Sequence, residues 1–318
     1  MGNALVDILM MLKSDDLLHQ LRLPKGSMQL INEAKMREIQ EATILLDQHV
    51  ATGGSVSNTI SGLARLGVDV GFIGKIGNDS IGDFFKVDSF ENGVLTYLLG
   101  SQLPSGRCHV LISPDSERTM CTYLGAASDL RATDLHERMF SDFDVLHIEC
   151  YLVENRELML RTAEMAKTAN MKLSLDLASY NVVESNLDFL REFVKNYVDI
   201  VFANAEEAFA FTGKQDKEAV AEIASMCDIA AVKVGKRGSF IQSGDEFHTI
   251  GAAKVNCIDS TGAGDLYAAG FLYGYARDLS LDKCAKIGTI CAGNVIQTIG
   301  AKIDDRIWKS INAIVSNF

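Results

Sequence analysis

The stretch Asp259–Asp265, DSTGAGD, decides how this chain folds and where its chemistry sits. Gly262 and Gly264 permit a tight turn that aims successive backbone N–H groups at one point. The apolar run behind them, Leu266 to Ala276, reads as a helix whose N-terminus favours negative charge at that same point. Asp265 therefore stands where an anion should bind, which is costly unless the carboxylate has a task. A general base that takes a proton from a hydroxyl while phosphate is transferred is such a task. Taken alone, GAGD reads equally well as a glycine turn with an aspartate helix cap. The wider chain decides between the two.

Short apolar runs at Val68–Ile73, Val145–Ile148, Leu173–Leu177, Ile200–Ala203 and Ala230–Val234 read as buried strands. Helical periodicity covers 156–169, 187–197, 205–212, 216–226 and 282–299. This alternation predicts an α/β fold, a doubly wound, mostly parallel sheet with helices on both faces. Ligands of such sheets bind beyond the carboxyl ends of the strands, so Asp176, Asn204 and Gly235 should line one cleft with DSTGAGD. Residues 8–50 and 94–125 break the alternation and read as a small β-sheet lid that would keep water from a phosphoryl-transfer site.

The 318 residues are 47% hydrophobic and 23% charged with only 3 Pro, which predicts one domain rather than a linked array. A net charge of −12 argues against nucleic acid or an anionic membrane as partner. Seven cysteines without a C-x-x-C pair read as free thiols of a reducing compartment, and with no signal peptide or membrane span visible the expected location is cytoplasmic. The six histidines show no metal-ligand spacing.

A second motif, GGSVSNTISGLARLG at 53–67, puts Gly53 and Gly54 where a substrate can approach backbone, and offers Asn58 as donor and acceptor for a diol. Its bland reading is a helix start with a small-residue packing face. Asp7 in GNALVDIL, near the end of a first strand, adds a carboxylate and makes a sugar clamp the better reading.

In chain order, GNALVDIL, GGSVSNTISGLARLG, GKIGND at 74–79, NAEE at 204–207 and DSTGAGD resemble the ribokinase family of PfkB-type carbohydrate kinases, over nearly the whole chain. The resemblance implies transfer of the ATP γ-phosphate to a hydroxymethyl group of a sugar or nucleoside, with Mg²⁺ required. It implies that Asp265 is the base and that the amides of Gly262, Ala263 and Gly264 form the anion hole. Asn204 and Glu207 match the N-x-x-E motif that positions Mg²⁺. Gly235 and Gly238 of KVGKRG would approach the nucleotide, Lys233 stands where many members have Thr, and Asn294 would lie beside the adenine. Asn3, Asp7, Gly53, Gly54 and Asn58 match the substrate positions. Arg118, in a segment resembling the adenosine-kinase-like branch, would reach the transferring phosphate. Many relatives are activated by K⁺ near this turn, where Asp259 and Thr261 offer oxygens.

Only Met1 and Gly2 precede Asn3, where members carry a short apolar strand, so a start upstream of Met1 and a more stable longer protein are expected. The lid edge offers a route to a homodimer. Few lid aromatics beyond Tyr97 and Tyr123 lean the substrate toward a free carbohydrate, with a purine nucleoside as the alternative, to be favoured by an apolar shelf in the lid. A silent sugar- or nucleotide-binding sensor would need no base at Asp265, and an oxidoreductase would need a G-x-G-x-x-G after the first strand, which is absent.

Overall fold

A computed structural model describes residues 1–318. Four short strands form its parallel centre: β8 (Val145–Glu149), β9 (Lys172–Asp176), β10 (Ile200–Asn204) and β11 (Ile229–Lys233). They carry VLHIE, KLSLD, IVFAN and IAAVK, apolar runs that end on Glu149, Asp176, Asn204 and Lys233. The apolar part is buried on both faces, as parallel strands require. Ile200 and Phe202 of β10 face one core, while Val201 and Ala203 face the other. The polar last residues are thereby delivered together to the carboxyl edge. Asn204 pairs in register with Lys233, and Glu149 with Asp176.

Two antiparallel strands, β12 (Ser239–Ser243) and β13 (Glu246–Ile250), extend the sheet beyond β11. On the other side of β8, the parallel pair β4 (Val70–Gly77) and β5 (Val94–Ser101) lies beyond Met1 and Gly2. The Met1 amine donates to the His147 carbonyl at 2.7 Å and the Gly2 amide to the Ile73 carbonyl at 3.2 Å, so these two residues bridge the sheets. Helices Arg156–Thr168, Leu187–Tyr197, Ala205–Thr212 and Leu281–Val295 fall within about four residues of the expected spans.

The lid is a five-stranded sheet in the order β2-β7-β6-β1-β3: β1 (Leu5–Met11), β2 (Met28–Leu30), β3 (Gln48–Gly53), β6 (Gly106–Ile112) and β7 (Arg118–Tyr123). The expected lid segments need one correction: residues 94–101 are not in the lid. They form β5, which follows the helix Ser80–Glu91 and pairs with β4, a crossover unit of the main layer. Alternation divides the lid faces. Val6, Ile8, Met10, Leu111 and Cys121 pack outward with Leu18, Leu21 and Ile39 of the covering helices. The opposite face carries Asp7, Leu9, Cys108, Val110, Met120 and Arg118.

Helix Ala263–Tyr275 starts three residues before the expected Leu266, so Asp265 lies inside its first turn. Phe271 anchors it, fully buried with its ring 5.3 Å from that of Phe202 at 84°. Phe271→Ala should lower unfolding free energy by about 3–5 kcal/mol, read from a shift in the urea midpoint. A loss below about 1 kcal/mol would mean the helix is anchored elsewhere.

Candidate active site

Two helices begin against each other at the carboxyl edge. Helix Ser55–Arg65 starts after Gly54, and helix Ala263–Tyr275 after Gly262. Between their first turns lies the Asp265 carboxylate, which accepts from the Ser55 hydroxyl at 2.8 Å and from the Asn58 amide at 2.9 Å. Burial pushes the Asp265 carboxyl up to about 7, against the downward pull of those two donors. A carboxyl poised there can take and release a proton near neutral pH. The Asn58 side-chain oxygen is buried without a hydrogen-bond partner.

The turn before Asp265 needs glycine at one position for its conformation. Gly262 has φ 75°, and a Cβ there would come 2.6 Å from the Ala301 Cβ. The Ala263 amide donates to the Ser260 carbonyl at 3.2 Å. The amides of Gly264 and Asp265 lie in the first turn, where no carbonyl of the helix can receive them. Asp259 braces the turn: one carboxylate oxygen accepts from the Thr261 amide at 3.0 Å and hydroxyl at 2.8 Å, and the other from the Gly300 amide at 2.7 Å. Arg118 arrives from the lid, pairing with Asp259 at 2.6 Å and donating to the Thr261 hydroxyl at 2.9 Å. The oxygens suggested for K⁺ thus already hold a guanidinium.

At the end of β10, Asn204 and Glu207 form a reciprocal helix cap. The Asn204 oxygen accepts from the Glu207 amide at 2.9 Å, and the Glu207 carboxylate accepts from the Asn204 amide at 2.7 Å and its side-chain NH₂ at 2.6 Å. Burial, then the charge of Asp176, raises the Glu207 carboxyl to about 7. No three His, Cys, Asp or Glu side chains converge as a metal cage. A donor set this sparse fits a Mg²⁺ that keeps most of its waters better than one caged by protein oxygens. Gly235 and Gly238 lie in the turn after β11, both at positive φ. Asn294 donates to the Ile290 carbonyl of its own helix at 2.8 Å.

On the lid, Asp7 lies against the backbone of Gly53, whose missing Cβ is what admits the carboxylate. Burial raises the Asp7 carboxyl to about 6, with Lys302 and Arg118 pulling it down. Lys302, half-buried, donates to the Thr52 hydroxyl at 2.6 Å, beside Gly53. Asn3 does not point free: its backbone and side-chain amides both donate to Glu149, at 2.8 and 2.6 Å. Glu149 also accepts from the Val56 amide at 3.0 Å, tying β1 to the first turn of helix Ser55–Arg65. Glu149, Ser55 and Lys302 are the site residues that sequence reading missed. Glu149 was signalled by a lone carboxylate closing an apolar strand, and Ser55 by its place inside GGSVSN, while Lys302 had no local signal.

The chain matches the model described as "pfkB family carbohydrate kinase" over residues 31–307. A probable sugar kinase from Rhizobium etli superposes with a TM-score of 0.88 at 33% identity, covering 98% of this chain and 96% of that one. The adenosine kinase of Sinorhizobium meliloti superposes with a TM-score of 0.88 at 32% identity, covering 98% and 97%. An uncharacterised sugar kinase of Archaeoglobus fulgidus is 26% identical over 243 residues, 76% of this chain and 96% of that protein.

The raised Asp265 carboxyl carries a stability signature. Its protonated form is favoured in the folded state, so its contribution is fully present below about pH 4 and is lost as pH rises through about 7. Asp265→Asn should therefore melt progressively higher than the wild type between pH 5 and pH 8, measured by differential scanning calorimetry. A melting difference that is flat across this range would refute the raised pKa.

Proposed function

The chain belongs to the pfkB family of carbohydrate kinases, a phosphotransferase acting on an alcohol group, and we propose that its acceptor is the hydroxymethyl group of a ribonucleoside. The observation that carries this choice is the inward lid face. Beside Asp7 it presents Leu9, Cys108, Val110 and Met120, an apolar shelf on the face from which Arg118 reaches the DSTGAGD turn. A free sugar offers that shelf nothing to bury, whereas a nucleobase does. The adenosine kinase from Sinorhizobium meliloti supports the same substrate class.

In this reading the ribose diol is held by Asp7 and the unpaired Asn58 oxygen, and the hydroxymethyl group points at Asp265. Asp265 accepts the hydroxyl proton as that oxygen bonds to the γ-phosphorus of ATP and the bond to the ADP oxygen breaks. The Gly264 amide and the helix N-terminus face the charge on the transferring group, joined by Gly262 at the turn. Asn204 and Glu207 would hold the water shell of a Mg²⁺ carried by ATP, which would supply positive charge to the phosphates. Gly235 and Gly238 give the nucleotide its backbone surface, and Asn294 faces the adenine side. Arg118, held by Asp259 and Thr261, supplies a fixed cation in place of K⁺ and carries the lid onto the turn. Seven unpaired cysteines support a cytoplasmic setting, and the open lid edge at β2, with Met28 and Leu30 exposed, supports a homodimer.

The assay is ADP release from Mg·ATP with adenosine, inosine, guanosine, ribose and fructose as acceptors, with and without K⁺. Nucleoside turnover independent of K⁺ and absent from Asp265→Asn is expected. Met120→Asp should raise the nucleoside KM about tenfold or more while leaving any ribose turnover unchanged. Turnover confined to free sugars would overturn the nucleoside assignment.

A further inference from the structure

Lys233 closes β11 with its ammonium inside the site. Its one side-chain hydrogen bond runs to Asp176 at 3.2 Å, leaving two of its three donors uncommitted. The amine also lies over the anion turn. A Cβ built on Gly264 would come 3.1 Å from the Lys233 nitrogen, so the absence of a side chain at 264 is what admits it. Burial opposes its charge, but the carboxylates of Asp176, Glu207 and Asp265 outweigh that and keep the amine protonated. A cation only 15% exposed, with spare donors and facing unpaired helix amides, is arranged for an anion that has yet to arrive.

We propose that Lys233 is a catalytic residue of the transfer: it rests on Asp176 in the free protein and donates to the γ-phosphoryl group of bound ATP, on the side opposite the turn amides. This rests on the kinase reading above and adds to it the group that balances charge on the transferring phosphoryl. Asp176 is then the resting partner, which holds the ammonium at the carboxyl edge until the nucleotide enters.

Two variants separate this role from a plain ion pair. Lys233→Met removes the cation and strands Asp176. Lys233→Met combined with Asp176→Asn removes both charges and carries the test should the single variant fail to fold. Calorimetric titration with Mg·ATP and Mg·ADP is the first readout, and kcat the second. The expected result for both variants is a loss of ATP affinity of about 10-fold with ADP affinity changed less than about threefold, and a fall in kcat of about 100-fold. Equal losses for ATP and ADP, or wild-type kcat in the double variant, would show that Lys233 serves only Asp176. If the wild-type protein turns over none of the acceptors, the acceptor reading fails, and the ATP-to-ADP contrast still decides the role of Lys233.

Discussion

The site is arranged around a half-buried carboxylate shared by two helix starts. Asp265 belongs to one helix, and Ser55 and Asn58 of another donate to it. Helix N-termini and two donors favour its charge, while burial disfavours it. The balance leaves the group near 7, where neither form is strongly preferred. An exposed aspartate would be too weak a base for a hydroxyl, and one fully starved of donors would not ionise. The fold supplies the intermediate case by packing the two helices at close range: a Cβ at Gly62 would meet Ala269 and Leu266 at 2.9 Å.

The sheet contributes in a different way. Each central strand spends its middle residues on the core and ends on a polar one, so Glu149, Asp176, Asn204 and Lys233 form a row of polar groups at one edge. They divide the work. Glu149 knits the segment before β1 to helix Ser55–Arg65, Asp176 and Lys233 form an ion pair, and Asn204 caps the helix that carries Glu207. The lid adds Asp7 and Arg118 from a single face, so one sheet links Gly53 to the DSTGAGD turn.

The main layer was legible because its strands and helices alternate with clear periods, and Leu187–Tyr197 and Ala205–Thr212 match the expected spans to the residue. The lid boundary was less legible, since Val94–Ser101 reads as an isolated strand and only its pairing with Val70–Gly77 assigns it to the main layer. At the site, Asn58 donates to Asp265, Asn204 and Glu207 bond each other, and Asp7 lies against Gly53. The Arg118–Asp259 pair and the Lys302 contact with Thr52 were invisible, because partners separated by 141 and 250 positions leave no local pattern. The left-handed turn was expected at both glycines but is needed only at Gly262; at Gly264 the requirement is space for an amine.

The bond between Ser55 and Asp265 spans 210 positions of the chain. At a ribosomal rate of about 5–20 residues per second, helix Ser55–Arg65 waits roughly 10 to 40 seconds after its own synthesis before its partner exists. During that interval β1 can find Glu149, but the apolar flank that will meet Leu266 and Ala269 stays uncovered. The half-made chain is therefore the vulnerable species, and demand on chaperones falls on the nascent protein more than on the finished one.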